Sequence, residues 1–384
     1  MISHSNTLIN NSSDINEAGT NKASTNRPVT VVNVAVAVIY YQDQYLLGFR
    51  DAFQHQGNRY EFVGGKIDVN ETAKQALIRE VAEETGIVIA SNSAVKLGRL
   101  HHDYGDKQVC LQVYKVALTA KQYEQHKDCE QGLEGQTLTW VDKPRLLAGD
   151  FELPAANKTI LEWLRLPQQI TITYPLAHFS EAAHPAAAWL QYQEAHLAHG
   201  AWVYVRLKAI DSNKAVKQLL NSRPDIQAIV PAEFESNPAR KEVVNCQIVA
   251  EHLTQTQLMR WSSDINNNVD YKNSVSQCGT SSNYSIGYPL IVSCHDAESI
   301  YAANKLARAR LQQQLSPVIG IFLSPVLATQ SHPETAPLGW QTWAELAALA
   351  DMPVIGLGGL SPEMSKQAEH YGGVAVAGIR QFFQ

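Results

Sequence analysis

GGKIDVNETAKQALIREVAEETGI, residues 64–87, decides how the N-terminal half of this 384-residue chain is read. Its pattern predicts a helix from about Glu71 to Thr85, stopped by Gly86. On that helix Glu80, Glu83 and Glu84 fall at i, i+3 and i+4 and share one face. Ala73, Leu77 and Val81 form an apolar stripe that seats the helix on something else. Like charges at i, i+4 repel. A hard cation relieves that repulsion, because Mg2+ takes oxygen ligands from a few carboxylates together with substrate phosphates. The glycine pair Gly64-Gly65 allows a tight loop whose backbone approaches a metal or phosphate closely. A solvated acidic face is the competing reading of three glutamates taken alone.

Working outward, residues 30–40 (TVVNVAVAVIY) and 109–117 (VCLQVYKVA) are β-branched runs that read as strands flanking the helix. A second helical stretch, residues 155–166, ends at Pro167, which marks a boundary. Beyond it come eight short apolar runs separated by helical segments: ITITYP (170–175), AWVYVRLK (201–208), IQAIVPAE (226–233), CQIVAEHL (246–253), PLIVSCH (289–295), VIGIFLSP (318–325), MPVIGLGG (352–359) and GVAVAGI (373–379). Eight strands in roughly 215 residues predict a (βα)8 barrel, with a doubly wound open sheet as the alternative. Residues 1–27 are rich in Ser, Asn and Thr and read as a disordered tail. Residues 262–287 have the same character and read as a surface insertion. The expected domains are therefore 28–166 and 167–384, an α/β fold followed by a barrel.

Composition narrows the function classes. Lys plus Arg number 31 against 37 acidic residues, a net charge of −6, which argues against a dedicated nucleic-acid partner. No apolar run approaches the ~20 residues that span a bilayer. The first 28 residues lack the basic start and apolar stretch of a signal peptide. The five cysteines, Cys110, Cys129, Cys246, Cys278 and Cys294, are odd in number and lack CxxC spacing, so a reduced, cytoplasmic setting is expected.

The spacing in residues 64–87 carries more than one helix face. Gly65, five residues, Glu71, seven residues and then Arg79-Glu80-Val81-Ala82-Glu83-Glu84-Thr85-Gly86-Ile87 fill every fixed position of the Nudix box. From about residue 30 to 166 the chain resembles the MutT branch of the Nudix hydrolases, which implies an α/β/α sandwich. It also implies cleavage of a nucleoside triphosphate, with 8-oxo-dGTP preferred, into monophosphate and pyrophosphate, in the service of nucleotide-pool sanitation and DNA repair. By that resemblance the Gly65 carbonyl, Glu80, Glu83, Glu84 and the distant Glu134 hold Mg2+ or Mn2+. Glu71 and Arg79 brace the helix and loop. Arg50, twelve residues before Phe62, matches an arginine and phenylalanine of the purine site, and Asn157 in ELPAANKTI matches the asparagine that meets the 8-oxoguanine edge. An amide offers both donor and acceptor there. Lys66 and Lys107 stand where phosphate or base would pass, or are ordinary surface lysines. Arg50 also reads as a surface ion pair and Asn157 as a helix N-cap. Val63 departs from the family's usual proline before the glycine pair.

From about residue 170 the chain resembles the thiamine-phosphate synthase and TenI barrels. The resemblance is carried by Arg206 and Lys208 in VYVRLKA, by Ser293-Cys294-His295, and by FLSPVLATQSHP followed by PLGW. Gly358-Gly359 and the last strand with Gly378 complete it. It implies a thiamine-related phosphate bound at the C-terminal ends of the strands. Arg206 and Lys208 would meet an anion, Gly358, Gly359 and Gly378 would form a backbone cradle, and Thr329 and Ser331 would add hydroxyls. His295 matches a tautomerase histidine, or is a hydrogen-bonded histidine at a strand end. His332 and Cys294 read as structural. The synthase reaction needs aspartate metal ligands after the third and fourth strands. Here PAEFESNP and AEHLTQTQLM stand instead, with Glu233 and Glu251, so synthase activity is not expected. Three functions follow: a hydrolase of oxidised purine triphosphates, a thiamine-pathway enzyme cleaving a pyrimidine or thiamine-type diphosphate, and a barrel that only senses a ligand.

Overall fold

The computed structural model describes residues 31–53, 57–104, 107–206, 212–232, 247–266, 287–330 and 333–383. The tail expected over residues 1–27 lies outside them, as does most of the expected insertion. Its first residues, 262–266, are helical, because the helix before it continues to Asn266.

The N-terminal half is built on strand β1 (Val31–Tyr41). Its middle is apolar at every position because both faces are covered: Ala35, Ala37 and Ile39 point into one core, Val36 and Val38 into another. A hairpin returns as β2 (Gln44–Phe49), followed by the short β3 (Tyr60–Glu61) and β4 (Val63–Lys66). Helix α1 (Ala73–Thr85) comes next, then β5 (Ala94–Asp103), β6 (Gln108–Ala117) and α2 (Ala120–His126). Strand β7 (Thr137–Asp142), α3 (Lys143–Ala148) and α4 (Asn157–Leu164) complete the unit. Strand β1 runs parallel to β6 along its length and antiparallel to β2 and β4 on its other side. The mixed sheet has the order β3-β2-β1-β6-β5, with β4 on β1 and β7 on β2, so β5 is an edge. Helix α1 packs on one face through Ala76, Leu77 and Val81, and Ile160 and Trp163 of α4 belong to the core on the other.

Local chemistry sets the bounds of α1. Thr72 caps it, accepting from the Gln75 amide at 3.3 Å while the Gln75 side chain accepts from the Thr72 N–H at 2.9 Å. This reciprocal box satisfies two otherwise orphaned donors. Gly86 ends the helix at φ +74°, a left-handed conformation that glycine adopts without penalty.

The C-terminal half is a closed parallel barrel with the cyclic order β8 to β15. Its strands are β8 (Gln169–Ile172), β9 (Trp202–Tyr204), β10 (Gln227–Pro231), β11 (Ile248–Leu253), β12 (Leu290–Cys294), β13 (Val318–Leu323), β14 (Val354–Leu357) and β15 (Ala375–Gly378). Each matches one of the eight apolar runs, β8 beginning one residue before its run, at Gln169. The helices between them are α5 (Pro185–His196), α6 (Ser212–Ser222), α7 (Gln255–Asn266), α8 (Ala297–Gln312), α9 (Gly339–Leu349) and α10 (Ser365–His370). Closure excludes the doubly wound alternative.

The two halves share a single apolar cluster. Leu97 and Leu100 of β5 and Ile160, Trp163 and Leu164 of α4 belong to the same core as Val318, Ile319, Ala350 and Met352 of the barrel. The contact lies where β13 and β14 begin, the floor of the barrel, opposite the strand ends where barrel sites are built. Polar contacts ring the seam. Arg99 pairs with the buried Asp351 at 2.8 Å, and the Arg99 N–H donates to the Asp351 carbonyl at 3.1 Å. The Lys96 ammonium donates to the Ala348 and Ala350 carbonyls at the end of α9.

Candidate active site

Helix α1 and the loop before it carry the densest chemistry in the molecule. Arg79 sits at its centre. Its guanidinium donates to Glu71 at 3.0 and 2.9 Å, to Glu80 at 2.8 Å, to Glu83 at 3.0 Å and to the Lys66 carbonyl at 3.0 Å. Helix and glycine loop are thereby tied into one piece. Gly65 lies directly beneath the Glu80 carboxylate, and a Cβ there would overlap it. A larger residue there would have to displace that carboxylate.

The distant Glu134 is brought to the same place by its loop. The Leu133 N–H donates to the Glu84 carbonyl at 2.8 Å, and the Gln136 amide donates to it at 3.2 Å. Gly132 packs against that carbonyl so closely that a Cβ would collide with it. Burial pushes the Glu84 carboxyl up to about 8, with Glu61, Glu80 and Glu134 adding to the rise and a Gly64 backbone hydrogen bond opposing it. Burial likewise raises Glu80, against the pull of Arg79. The hydrogen bond from Arg79 holds Glu71 below its usual range.

Among the described residues no three His, Cys, Asp or Glu side chains stand in ligating arrangement. Arg79 engages Glu80 and Glu83 instead. The donor set still suits a hard divalent ion. It is all oxygen, and Glu61, Glu71, Glu80, Glu83, Glu84 and Glu134 bring more negative charge than Arg50 and Arg79 balance.

Beside this cluster lies the expected base side. Arg50 is an ion-pair residue, as its alternative reading had it, with Glu61 as partner at 2.6 Å, and the pair is partly buried. The Arg50 Nε is buried and makes no hydrogen bond among the described residues. Sequence reasoning passed over Glu61, although it directly precedes Phe62 and faces Glu84. Phe62 is buried in the core under the sheet, and Lys66 is exposed. Asn157 is not the N-cap of α4: Ala156 holds that place, and Asn157 is the first helical residue, only 7% exposed. Its side-chain amide makes no hydrogen bond among the described residues. Tyr104, also passed over, hydrogen-bonds the backbone of Ala156 and lies near Arg50, Arg59 and Glu61. It thus joins the Asn157 end of α4 to the Arg50 pair.

The mouth of the barrel is sparser. Arg206 is partly buried, and its N–H donates to the Thr173 hydroxyl at 2.9 Å. The His295 Nδ1 lies 2.7 Å from the Ser324 carbonyl, which only accepts, so Nδ1 carries a proton, and in the neutral ring Nε2 keeps the lone pair. Beneath it runs a buried chain from the Tyr204 hydroxyl to His252 Nδ1 and from His252 Nε2 to the Ser293 hydroxyl, each 2.8 Å. Burial holds His252 neutral, down to about 3, with Arg206 adding to the fall.

The glycines there have a packing reason. Gly358 and Gly359 have φ of +100° and +69°, and a Cβ on either would strike the 325–328 segment folded over them. Gly378 lies under the Phe382 ring. Thr329 borders Gly358. Glu251 is buried. Lys208, Ser331, His332 and Glu233 lie outside the described residues.

Known proteins resemble each half separately. A family model described as NUDIX domain matches residues 34–163, and one described as Thiamine monophosphate synthase matches residues 290–382. The 8-oxo-dGTP diphosphatase of Escherichia coli (strain K12) is 31% identical over 135 residues, 35% of this chain and 96% of that protein. The CTP pyrophosphohydrolase of the same organism is 36% identical over 78 residues, 19% of this chain and 58% of that protein. In the barrel, the putative thiamine-phosphate synthase 2 of Aquifex aeolicus (strain VF5) is 39% identical over 64 residues, 17% of this chain and 34% of that protein. Fold, carboxylate helix and comparisons together define a pyrophosphohydrolase of nucleotide-like substrates, and the chain belongs to the Nudix family. Its Nudix domain is MutT-like and is fused to a TenI/thiamine-phosphate-synthase-like barrel. No described helix is long and apolar enough to cross a membrane.

Proposed function

We propose that the Nudix domain hydrolyses 8-oxo-dGTP to the monophosphate and pyrophosphate, using Mg2+ or Mn2+. The observation that carries the substrate is the setting of Asn157: a residue only 7% exposed whose amide makes no hydrogen bond to described residues, near the Arg50–Glu61 pair and Tyr104. The amide keeps both its donor and its acceptor for whatever outside the fold meets it. A purine edge that both donates and accepts does so. The similarity to a bacterial 8-oxo-dGTP diphosphatase over almost its whole length supports the same reading.

The metal would be held by the Gly65 carbonyl, Glu80, Glu83 and Glu84, with Glu134 from its loop. When bound it neutralises phosphate charge and makes a water acidic enough to ionise near neutral pH. The protein's own part is to orient. Arg79 and Glu71 fix the helix to the glycine loop, and Arg50 and Asn157 hold the base. A carboxylate of the Glu84 and Glu134 pair accepts the proton of the attacking water. Water adds to phosphorus, the phosphoanhydride oxygen leaves, and no covalent protein intermediate is required.

A second reading rests on the barrel mouth, where Ser324 fixes the His295 tautomer and leaves Nε2 as a base. In that reading the chain serves thiamine chemistry: the Nudix domain cleaves a pyrimidine or thiamine-type diphosphate, and the barrel tautomerises or senses a thiazole phosphate. One assay separates the two. Purified protein with Mg2+ is given 8-oxo-dGTP, dGTP or thiamine diphosphate, with Glu83→Gln as control. Glu83-dependent pyrophosphate release from 8-oxo-dGTP, with dGTP far behind, is the expected result. Phosphate release from thiamine diphosphate with little turnover of 8-oxo-dGTP would overturn it.

A further inference from the structure

Helix α4 has one end in each half of the molecule. Asn157 opens it, and Trp163, six residues and about 9 Å of helix further on, is buried against the barrel floor. The indole N–H donates to the Val318 carbonyl at the start of β13, 3.2 Å away. Only four residues separate the end of α4 from the first barrel strand. A helix of two turns does not bend freely between such anchors, so the floor of the barrel fixes where the Asn157 amide stands.

The seam is fitted closely around Trp163. Gly98 of β5 sits where a Cβ would come within 2.6 Å of both the Asp351 carbonyl and the Trp163 ring. Strand β5 breaks register against β6 between Lys96 and Gly98, which sets that glycine against the indole. Asp351 is held from the barrel side as well. Its N–H donates to the Asn304 side chain at 2.9 Å, and the Asn304 amide donates to the Leu349 carbonyl at 2.9 Å. Edge strand, α4 and the α9–β14 connection therefore meet at one point.

Resting on the assignment of Asn157 to the base, we propose that the barrel is a positioning element for nucleotide recognition. Trp163, Gly98 and Asp351 lock α4 to the barrel floor and thereby hold Asn157 at the purine edge. None of the three touches the carboxylates of α1, which pack on the opposite face of the sheet. The lock therefore acts on base choice, not on bond cleavage.

The test uses the full chain and steady-state kinetics with 8-oxo-dGTP and dGTP. Gly98→Ala wedges the seam, and Trp163→Phe keeps most of the ring but deletes the N–H. Each is expected to raise KM for 8-oxo-dGTP about three- to tenfold, the size of one lost or misplaced hydrogen bond. Each should narrow its preference over dGTP by a similar factor and leave kcat within about twofold. Asp351→Asn, which removes only the ion pair with Arg99, keeps the experiment decisive where Gly98→Ala does not fold. Its expected effect has the same direction and is smaller.

Asn157→Ala runs beside them as the test of the base assignment. If Asn157→Ala loses the preference while folded seam variants keep it in full, the base assignment stands and the positioning role is overturned. If Asn157→Ala keeps full preference, the base assignment itself fails. A parallel fall in kcat on both nucleotides would also overturn the proposal, since it marks a general loss of structure.

Discussion

The two halves of this chain build their sites in opposite ways. In the Nudix half six carboxyl groups and two guanidiniums are gathered around one helix, and most come from one stretch of sequence, residues 61–84. In the barrel the groups that face the mouth come from successive strand ends, Arg206, Ser293, His295 and Ser324, more than a hundred residues apart at the extremes. The first site concentrates charge, and its cost shows in Glu84, which burial and neighbouring carboxylates drive up to about 8. The second, among the described residues, gathers far fewer charged groups. Its innermost member, His252, is buried between two hydroxyls that satisfy both ring nitrogens. A concentrated charge array without compensation is expensive for a fold to keep. A satisfied polar chain is compatible with catalysis, ligand holding or plain packing.

Substitutions sharpen that contrast. Outer-sphere partners of a metal typically contribute 10–100-fold to affinity or activity, so loss of a direct ligand should exceed about 100-fold. Glu80→Gln is therefore expected to lower nucleotide hydrolysis by more than that factor, measured as kcat/KM. His295→Asn should leave the same number within about twofold. A large effect of His295→Asn would break the separation of the two sites.

Trp163→Ala comes next. Deleting a buried tryptophan costs on the order of 3–5 kcal/mol. Because the apolar core is continuous across the seam, wild-type protein should unfold in a single calorimetric transition. Trp163→Ala should lower its midpoint or split it in two. Two transitions in the wild type would show that the halves fold independently.

The third effect follows from Glu84. Its folded pKa, about 8, lies above the ordinary 4.5. Between those values the folded chain keeps a proton that the unfolded chain has released, so stability falls as pH rises from about 5 to about 8. A divalent cation bound to the carboxylates offsets this loss. Thermal unfolding in EDTA should therefore show a midpoint that declines over that window. Mg2+ should raise the midpoint more at pH 8 than at pH 5.5, and Glu84→Gln should flatten both trends. The smallest expected effect is Thr72→Ala, which removes the α1 cap for about 1 kcal/mol. It tests whether the charged helix depends on its local box or on its packing.

What could be read from the sequence divides along physical lines. Glu80, Glu83 and Glu84 were legible because helix geometry converts i, i+3, i+4 into one face. The eight barrel strands were legible because each is a short, mostly apolar run set off from its neighbours by helical segments. Helix α1 starts two residues later than the pattern suggested, since the Thr72–Gln75 box stops it. The Arg50–Glu61 pair and the placement of Tyr104 beside Ala156 were hidden, because they depend on how β2, β3, β5 and α4 come together. Gly98 left no signal. Its meaning comes from Asp351, some 250 positions away, and from an indole that reaches it only after the barrel has closed. The sequence leaves Asn157 open as a contact residue or a cap, and only the observed helix start shows that it does not cap α4.

Strand β5 has one further consequence, for how the chain is made and handled. It is the outer strand of its sheet, and the Arg99 N–H on its open side is bonded to the Asp351 carbonyl. Open strand edges are templates for unwanted pairing with other chains. Here a loop some 250 residues further along the chain shields that edge, so a ribosome releases the N-terminal half long before its cover exists. Expressed alone, residues 28–166 would present the bare edge together with the apolar side of Trp163. Self-association is the expected fate of that fragment, whatever the integrity of its active site.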